Sequence, residues 1–474
     1  MQEEKHIHLI GICGSAMASL AGMLQTRNYR VTGSDAAAYP PMSDLLEALG
    51  IAIKEPYAEA NLSPRPDLVI VGNAISRGNV ELEYVLDQRI PFRSLAETIQ
   101  HEFLPGRESI VVAGTHGKTT TTSMLAWIYE VASRVQAEVA PSFLIGGIAE
   151  NFGTSFRVRE GKPFILEGDE YDTAFFDKGP KFMHYFPDAL ILTHVEFDHA
   201  DIYDNLDAVK TAFRRLVNLV PRRGRLVAFD GSSNLDECVA RAFCSVERYG
   251  FKSGSHWRLQ DLTHSGGNSS WKVFRSGKEW LQLTLPLAGE HNALNATAAV
   301  ALAAGQGIDP ASIVEALSTF RSVKRRLEVR AIAAGVTIID DFAHHPTAIR
   351  ETLKALRAAY PGQRLWAVLE PRSNTLRRNV FERELVESLS LADGIVVAGV
   401  FKQESIPEPE RMHPEKVVAA LARAGHDATF YASADAIVQG LGPRLKPGDV
   451  VAILSNGGFD GIYEKLPKYL TTPQ

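Results

Sequence analysis

Residues 109–122 constrain the fold of this chain most, because they place an apolar run, a glycine turn, a lysine and a block of hydroxyls in immediate succession. The β-branched run 110–112 predicts a buried strand, and an apolar helical pattern opens at Met124. This order is typical of loops that hold a nucleoside triphosphate: backbone N–H groups approach the phosphates, the lysine neutralises the outer phosphates, and the next hydroxyl ligates Mg²⁺. The candidate phosphate-binding residues are Gly114, Thr115, His116, Gly117, Lys118, Thr119 and Thr120.

One position departs from the usual phosphate loop. The common pattern has a further glycine five positions before Gly117, and Val112 stands there instead. The remaining G-x-x-G-K-T motif favours a phosphate loop once the strand before it and the helix after it are included. The alternative is an exposed loop capped by Thr119 behind an ordinary core strand.

Length and composition indicate an ordinary globular protein of about three domains. The 474 residues are 45% hydrophobic and 22% charged, and the net charge of −6 gives no electrostatic reason to expect nucleic acid or an anionic membrane as a partner. The three cysteines, Cys13, Cys238 and Cys244, form neither a disulfide framework nor a metal-ligand spacing. No signal region opens the sequence and no apolar run approaches about eighteen residues, so we predict a soluble, cytoplasmic protein.

The amino-terminal segment follows a strand–loop–helix–strand order. A strand at residues 6–10 runs into a glycine loop, a helix follows from Met17, and a second strand ends at Asp35. An acid about twenty residues after the loop is typical of dinucleotide folds, but Cys13 and Ala16 replace two of the expected glycines. We therefore expect a phosphate-bearing nucleotide other than a nicotinamide cofactor. The alternative is a tight turn with Asp35 as a cap.

Two acidic clusters follow apolar strands in the central part of the chain. Four acids lie between residues 167 and 172, and a strand at residues 189–192 leads into a histidine–acid stretch around His199. Because ligands of open α/β sheets sit beyond the carboxyl ends of the strands, these clusters and the phosphate loop should meet at one edge. Oxygen ligands suit Mg²⁺, so we predict a metal site led by Glu167 and His199. Each cluster taken alone would be better explained as a solvated loop or a helix cap, and the convergence of the three favours the metal site.

The next segments are less informative. Residues 224–285 alternate short apolar runs with Gly, Ser and Asn, which predicts an inserted β-rich flap without clear chemistry. An alanine-rich helix then opens with His291, Asn292 and Asn295, whose side chains either cap the helix or bind an adenine edge. A basic cluster at residues 324–328 follows a second helix.

The last part of the chain again alternates strands and helices. A β-branched strand that starts at Val336 and ends in polar groups is predicted, with further strands at residues 366–369, 394–398 and 450–454, and Pro346 starts a helix. The pattern therefore predicts an α/β fold with three doubly wound units. The predicted domains are residues 1–106, 107–322 and 323–474, with boundaries at a Pro-Gly pair and just before the basic cluster.

Taken in order, these motifs resemble those of the Mur ligases, the ATP-dependent enzymes that form amide bonds in peptidoglycan synthesis. The resemblance covers nearly the whole chain. It implies a Rossmann-like amino-terminal domain, a P-loop ATPase-like central domain and a Rossmann-like carboxyl-terminal domain. The residues that carry the resemblance are 114–120, 167–170, 196–199, 289–295, 325–326 and 341–346.

Two activities of the family are similar enough to compete. The amino-terminal unit resembles that of members that bind UDP-N-acetylmuramate, of which some add L-alanine and others add the recycled peptide L-alanyl-γ-D-glutamyl-meso-diaminopimelate, with tetra- and pentapeptides as further candidates. The stretches that favour the tripeptide are residues 39–43, 169–178, 370–375 and 455–459. The implied setting is murein recycling and cell-wall biogenesis, and with it cell shape and division, in a monomer or weak homodimer. A regulatory protein that binds the UDP-sugar without catalysis is the alternative of a different class.

The resemblance also implies roles for single residues. Lys118 and Arg326 would stabilise the transferring phosphoryl group, Thr119 and Glu167 would hold one Mg²⁺, and His199 would hold a second. The expected catalytic residues are Lys118, His199, Arg326, His344 and His345, the last two as candidates for removing a proton. Helix capping beside Pro346 is the alternative for both of these histidines.

The implied binding residues fall into three sets. Besides the phosphate loop and Arg326, ATP would be held by His291, Asn292 and Asn295 at the adenine and by Asp341 at the ribose. The expected UDP-sugar-binding residues are Gly11, Cys13, Gly14, Ser15, Ala16, Met17, Ser34, Asp35, Asn73, Ala74 and His116. The expected peptide-binding residues are Arg372, Ser373, Asn374, Thr375, Ser455 and Asn456, and the Arg372 guanidinium would bind a carboxylate bidentately.

Two positions depart from the family pattern. Gly168 stands where we expect alanine, and Arg214 stands about fifteen residues after His199, where several Mur ligases have a carbamylated lysine. We therefore expect no carbamate. Because the ATP and UDP-sugar sites fall in different units, we expect hinges near residues 106 and 322 whose closure excludes water.

Overall fold

The computed structural model describes residues 5–38 and 42–472, which fold around three large sheets taken in chain order. Of the stretch 39–43 used in the sequence comparison, residues 39–41 lie outside the described residues. The sheets fall on either side of residues 106 and 322, and we keep those positions as the proposed domain boundaries.

The amino-terminal sheet has five parallel strands in the order β3-β2-β1-β4-β5. Its central strand is buried along its whole length, as expected of a parallel sheet covered on both faces. Its elements are β1 (His6–Ile10), α1 (Ser15–Gln25), β2 (Arg30–Ser34), α2 (Met42–Ala48), β3 (Ile53–Lys54), β4 (Leu68–Val71), α3 (Val80–Asp87), β5 (Phe92–Ser94) and α4 (Leu95–Glu102).

The central sheet has ten strands in the order β17-β16-β15-β14-β13-β12-β6-β9-β7-β8. Its middle strands β12, β6 and β9 run parallel, so the chain leaves all three at the same edge. The elements are β6 (Glu108–Ala113), α5 (Lys118–Ala132), β7 (Ser142–Ala149), β8 (Thr154–Arg157), β9 (Pro163–Gly168), β10 (Asp172–Ala174), β11 (Asp177–Pro180), β12 (Ala189–Leu192), α6 (Leu206–Leu219), β13 (Arg225–Phe229), α7 (Ser233–Val239), β14 (Ser245–Gly250), β15 (Trp257–Ser265), β16 (Asn268–Arg275), β17 (Lys278–Leu285), α8 (Glu290–Gly305) and α9 (Pro310–Ser318).

The segment 224–285 is β-rich as predicted, but it is not a separate flap. β13 and β14 continue the parallel ladder of β12, and β15–β17 extend the same sheet as an antiparallel meander. Trp257 and Trp271 point into the core and are at most 1% exposed, which anchors the meander. The prediction of an insertion was wrong because runs of Gly, Ser and Asn mark turns and do not show whether the strands between them join a larger sheet.

The carboxyl-terminal sheet has the strand order β18-β19-β23-β20-β21-β22, parallel except at β18. The predicted strands at 394–398 and 450–454 have the observed bounds, the strand predicted from Val336 ends at Asp341, and β18 was missed beside the basic cluster. The elements are β18 (Glu328–Ala333), β19 (Val336–Asp341), α10 (Pro346–Ala359), β20 (Leu365–Leu369), α11 (Glu382–Leu389), β21 (Gly394–Ala398), α12 (Pro414–Arg423), β22 (Asp427–Tyr431), α13 (Ala434–Leu441), β23 (Val450–Leu454) and α14 (Ile462–Thr471).

The hydrophobic cores do not follow the three sheets one by one. A single cluster of buried side chains runs from β1 and α1 of the amino-terminal domain to β9, β12 and α6 of the central domain. The carboxyl-terminal sheet is covered by two clusters of its own. Among the described residues, no helix has an apolar stretch long enough to cross a membrane.

Candidate active site

The phosphate loop joins β6 to α5 through two glycines with left-handed backbone angles. Gly114 has φ +133° and Gly117 has φ +79°. A Cβ on Gly117 would lie 2.5 Å from Asn295 Oδ1, so the loop passes too close to α8 for any side chain there. The helix begins directly at Lys118, and Gly117 offers no side chain to cap it. The first N–H groups of α5 thus remain available for an anion, as in a phosphate site.

The helix start at Lys118 lies earlier than the apolar pattern opening at Met124 suggested. Four threonines follow the lysine, and such residues are weak helix formers. Thr122 Oγ1 donates to Lys118 O over 2.7 Å, and Thr119–Thr122 are all buried. Tertiary packing against the sheet therefore overrides the local preference.

Lys118 lies among carboxylates at the edge of the sheet. Its ammonium donates to Glu170 Oε2 over 2.8 Å, to Glu170 Oε1 over 3.0 Å and to Gly114 O over 2.8 Å. Burial works against the charged ammonium, but Glu170, Asp169 and Glu167 outweigh it and raise the pKa of Lys118. The lysine is thus a fixed cation at the mouth of the loop.

Thr119 and Glu167 meet as the sequence predicted. Thr119 Oγ1 donates to Glu167 Oε1 over 2.9 Å, and Glu167 Oε2 accepts from Gly146 N over 2.7 Å. Burial raises the pKa of Glu167, which marks a carboxylate short of compensating charge. A hydroxyl and a carboxylate side by side are the oxygen donors that Mg²⁺ prefers, so these residues fit the ion.

His199 belongs to a second group a few ångströms away. Asp169, Glu170 and His199 offer ligand atoms within 4.8 Å of one another, and His199 Nε2 lies 3.2 Å from Glu170 Oε1. Burial lowers the pKa of His199, but Glu170 and Asp198 outweigh it and raise the pKa to about 9. The resemblance implied two ions, and the structure places Glu167 and His199 in two separate groups of donor atoms.

A cavity of about 410 Å³ opens beside the phosphate loop, between the central and carboxyl-terminal domains. The predicted ATP-binding residues among its lining are His116, Gly117, Thr119, Thr120, His291, Asn292, Asn295, Arg326 and Asp341. His291 Nδ1 is buried there without a hydrogen-bond partner, and burial lowers the pKa of the ring. An unpaired polar atom facing a cavity of this size fits a nucleotide base.

Two of the lining side chains are already engaged. Asp341 accepts from the N–H groups of Leu327 and Ala343 over 2.8 and 2.9 Å and from Thr352 Oγ1 over 3.1 Å. Asn292 Nδ2 donates to Ala288 O over 2.8 Å, as a helix-start side chain does. Their predicted roles at ribose and adenine stay predictions. Arg326 Nη2, by contrast, points across the cavity and lies 3.4 Å from Thr119 Oγ1.

The two candidate proton acceptors differ in how their rings are used. His345 Nδ1 accepts from Thr347 N over 3.3 Å and Nε2 faces Phe197 O at 3.2 Å, so both nitrogens are occupied and the residue caps α10. His344 Nδ1 faces Phe342 O at 2.8 Å, which leaves Nε2 as the acceptor. Burial lowers the pKa of both rings, that of His345 to about 3. The geometry favours His344 over His345.

Backbone N–H groups of the amino-terminal loop hold it against the end of β2. Ser34 O accepts from Gly11 N over 2.9 Å, and Asp35 Oδ2 accepts from Cys13 N over 2.8 Å. α1 begins at Ser15, two residues before the predicted start, and Gly14 again leaves the helix without a side-chain cap. Asn73 and Ala74 follow β4 at the same sheet edge, beside β1. This loop therefore offers an exposed helix N-terminus that suits a diphosphate.

His116 lies apart from the other predicted UDP-sugar residues. Its Nε2 is 3.1 Å from Glu196 Oε2, and its ring centroid is 4.5 Å from that of His345. These partners belong to the central and carboxyl-terminal domains. The position supports the predicted ATP-side role of His116 more than a UDP-sugar role.

The two predicted peptide loops lie next to the histidine–acid stretch. Asn374 Nδ2 donates to Asp201 Oδ2 over 2.7 Å, and Thr375 Oγ1 donates to Asp198 Oδ1 over 2.8 Å. The Arg372 guanidinium lies 3.8 Å from the centroid of the Phe401 ring. In the same region, Ser373 Oγ donates to His344 O over 3.4 Å, Ser455 Oγ donates to Glu370, and Asn456 Oδ1 is buried without a partner.

Comparison with known proteins agrees with this arrangement along the chain. Three family models match in order: "Mur ligase family, catalytic domain" at residues 6–103, "Mur ligase middle domain" at 112–303 and "Mur ligase, glutamate ligase domain" at 325–457. The chain belongs to the Mur ligase family. It is thus an ATP-dependent, amide-bond-forming ligase.

The relatives of this Mur ligase span its full length. It is 42% identical, over 97% of both chains, to the UDP-N-acetylmuramate–L-alanyl-γ-D-glutamyl-meso-2,6-diaminoheptandioate ligase of Escherichia coli strain K12. It is 30% identical, over 97% of both chains, to the UDP-N-acetylmuramate–L-alanine ligase of Lachnoclostridium phytofermentans. A murein peptide ligase structure from Psychrobacter arcticus 273-4 is 35% identical and covers 99% of both chains with a TM-score of 0.74.

Several residues of the Mur ligase site were not predicted from sequence. His194, Phe229, Asn234 and Glu351 line the cavity, and Glu196 joins His116 to α10. Glu196 lies in a stretch used for the resemblance, so its motif could have indicated it. His194 follows β12 and Phe229 ends β13, so both lie at the predicted strand edge. Asn234 and Glu351 depend on how α7 and α10 fold over the loop, which the local sequence does not specify.

Proposed function

We propose that this Mur ligase joins the carboxylate of UDP-N-acetylmuramate to the free amine of L-alanyl-γ-D-glutamyl-meso-diaminopimelate, with ATP converted to ADP and phosphate. The observation that carries the proposal is full-length identity of 42% to a ligase named for these substrates, against 30% to one named for L-alanine. The site agrees with it, because the phosphate loop and the predicted peptide loops meet at one edge of the central sheet.

The first step activates the carboxylate. A carboxylate oxygen attacks the γ-phosphorus of ATP, and the bond from that phosphorus to the β,γ-bridging oxygen breaks. ADP leaves, and the carboxylate has been converted to an acyl phosphate. Such a transfer needs positioning and charge neutralisation more than covalent help. Lys118 and Arg326 supply the cations on either side of the cavity. Thr119 and Glu167 would hold Mg²⁺, with His199 beside a second ion, and the metal would neutralise phosphate charge.

The second step forms the amide. The peptide nitrogen attacks the carbonyl carbon of the acyl phosphate, the carbon–oxygen bond to phosphate breaks, and the nitrogen loses a proton. His344 Nε2 is our candidate acceptor for that proton, because its other nitrogen faces Phe342 O. His345 instead caps α10 and positions the loop before it.

Substrate recognition is divided among the domains. The exposed start of α1 and the loop before it would bind the UDP part, as predicted for Gly11 to Met17 with Ser34 and Asp35. The Arg372 loop and Ser455-Asn456 would bind the peptide, whose carboxylates suit a guanidinium. We further expect activity with tetra- and pentapeptides, a monomer or weak homodimer, and a cytoplasmic location where ATP is available.

A substrate panel tests the proposal. Purified protein is given ATP, Mg²⁺ and UDP-N-acetylmuramate with either L-alanine or the tripeptide, and both ADP and the amide product are measured. We expect turnover with the tripeptide and little with L-alanine. Turnover with L-alanine alone would replace the proposal with the L-alanine ligase activity. UDP-N-acetylmuramate binding without ADP release from either amine would favour a regulatory protein.

A further inference from the structure

Two segments of different domains are joined at two points beside the cavity. Thr347 Oγ1 donates to Glu196 Oε2 over 2.7 Å, and His345 Nε2 donates to Phe197 O over 3.2 Å. The assignment of the His345 proton follows from the ring's other nitrogen, which accepts from Thr347 N. We call Glu196, Phe197, His345 and Thr347 the interdomain clip.

The clip also touches the phosphate loop. His116 Nε2 lies 3.1 Å from the same Glu196 oxygen that accepts from Thr347, and a carboxylate can only accept, so His116 donates. The His116 side chain comes from the loop residue directly before Gly117. One carboxylate oxygen therefore connects the phosphate loop to the first turn of α10.

The charge of Glu196 makes these bonds strong. Burial alone would raise the pKa of Glu196, but the bonds from His116 and Thr347 outweigh it and hold the pKa at about 2. Hydrogen bonds to an ionised acceptor are roughly twice as strong as neutral ones. The carboxylate also lies at the N-terminus of α10, a 14-residue helix, where the helix dipole favours a negative charge.

The clip also bears on the position of carboxyl-terminal residues that line the cavity. Arg326 and Asp341 belong to the carboxyl-terminal part of the chain, and both line the cavity beside the phosphate loop. Arg326 Nη2 comes within 3.4 Å of Thr119 Oγ1, across the boundary between the domains. Side chains on a separate domain reach this distance only while that domain is seated on the central one.

Some of the other polar contacts between these domains lie away from the phosphate loop. Thr375 bonds to Asp198, and Asn374 bonds to Asp201, both at the predicted peptide loop. Among the described residues, neither of these pairs is hydrogen-bonded to the phosphate loop. Glu196 thus differs from them in contacting both the loop that holds phosphate and the domain that covers it.

We propose that Glu196 is a positioning residue that holds the carboxyl-terminal domain closed on the phosphate loop, so that Arg326 reaches the transferring phosphoryl group and water is kept from the acyl phosphate. The proposal rests on the proposed ligase function. It goes beyond that function by assigning the closed state to one carboxylate and its two partners, His116 and Thr347.

The test uses the full chain with Glu196→Gln, Thr347→Val and the double variant. For each, amide formed, ADP released and the KM for UDP-N-acetylmuramate are measured. We expect Glu196→Gln to lower kcat for the amide about 10- to 100-fold, since bonds to a charged acceptor are lost. We expect more ADP than amide, because water reaches the acyl phosphate, and an unchanged KM for UDP-N-acetylmuramate. The double variant should be no worse than Glu196→Gln alone.

Matched control variants are available inside the central domain. Glu315→Gln removes a surface partner of Arg134, and Thr211→Val removes a hydroxyl that bonds to Asp207 O within α6. Both should keep equal amounts of ADP and amide. They separate the clip from the general effect of losing a glutamate or a threonine hydroxyl.

The outcomes divide clearly. Equal ADP and amide in Glu196→Gln, or additive losses in the double variant, would overturn the clip while wild-type activity upholds the ligase. Absence of wild-type product with either amine would overturn the ligase function and the clip with it. If Glu196→Gln fails to fold, Thr347→Val alone decides, because it removes one hydroxyl and leaves the backbone bond to His345.

Discussion

The central domain contacts the amino-terminal and carboxyl-terminal domains through two junctions that differ in their contacts. Toward the amino-terminal domain the junction is largely apolar: one buried cluster crosses it, and the Phe103 ring lies against Phe164 at 6.3 Å between centroids. Single hydrogen bonds, such as that between the Ser19 and Ser155 hydroxyls, accompany this cluster. Toward the carboxyl-terminal domain it consists largely of hydrogen bonds, such as those from Thr347 to Glu196 and from Thr375 to Asp198. Exposing buried apolar surface to water costs free energy, whereas the hydrogen bonds of a polar junction can be replaced by hydrogen bonds to water.

This difference revises the expectation of two hinges. A core shared across residue 106 argues against a hinge there, because opening it would expose buried side chains such as Phe103. Among the described residues, the buried clusters on the two sides of residue 322 stay separate, and the cavity beside the phosphate loop lies at this junction. We therefore expect the amino-terminal and central domains to move as one body and the carboxyl-terminal domain to open and close.

The largest expected effect comes from Lys118→Ala, which tests whether the shared core also couples the two sites. Loss of this cation should reduce turnover at least about 1000-fold, as for other cations that stabilise phosphoryl transfer. UDP-N-acetylmuramate binding, measured by calorimetry, should remain, because its predicted loop is on β1 and α1. Lys272→Ala, on the distant meander, is the control and should keep activity. Full activity in Lys118→Ala would refute the phosphate-loop assignment.

Core truncation distinguishes the two junctions by stability. Replacing Phe103, which is 1% exposed, by alanine should lower the free energy of unfolding by about 3–5 kcal/mol. In scanning calorimetry, Phe103→Ala should lower a transition that includes both the amino-terminal and central domains. Leu385→Ala, in the core of the carboxyl-terminal domain, should lower a separate transition instead. Independent melting of all three domains would contradict the shared core.

Acid should loosen the polar junction first. Burial lowers the pKa of His345 to about 3 and that of His194 to about 4, from an ordinary value near 6.5. Both histidines therefore contribute fully to the free energy of unfolding above pH 6.5. This contribution is lost as the pH falls from 6.5 toward 3, because the unfolded chain binds protons there and the folded chain does not. Glu196, with a pKa of about 2, adds a loss only below about pH 4.5.

Hydrogen exchange at pH 7 and pH 4.5, corrected for intrinsic rates, measures this acid effect. Peptides from the start of α10 should lose protection, while peptides from α1 and β8 should keep theirs. An equal loss of protection at both junctions would show that the histidines do not distinguish them.

The smallest effect is expected from Thr375→Val. The substitution removes a bond to Asp198 and the acceptor for Ala200 N, each worth about 0.5–1.5 kcal/mol. Because the hydroxyl belongs to the polar junction, kcat should fall up to about tenfold while the melting temperature of the amino-terminal and central body stays unchanged. A drop in that melting temperature would mean that the two junctions are coupled.

Sequence patterns identified the elements with strong local signals. The strands at His6–Ile10, Gly394–Ala398 and Val450–Leu454 have the predicted bounds, because buried parallel strands are continuous apolar runs. The rule that strand ends meet at one edge also predicted that the phosphate loop and the acid cluster of Glu167 come together, and Thr119 bonds to Glu167 there. Contacts that depend on how whole domains dock could not be predicted in this way. The link from His116 to Glu196 and the shared core around Phe103 are of that kind.

The chemistry of the assembled site is tested most directly by oxygen transfer. UDP-N-acetylmuramate labelled with ¹⁸O in both carboxylate oxygens is incubated with ATP, Mg²⁺ and the tripeptide, and the phosphate and the amide are analysed by mass spectrometry. An acyl phosphate requires that one labelled oxygen leave with phosphate and the other stay in the amide. Amide product formed together with unlabelled phosphate would contradict the proposed reaction.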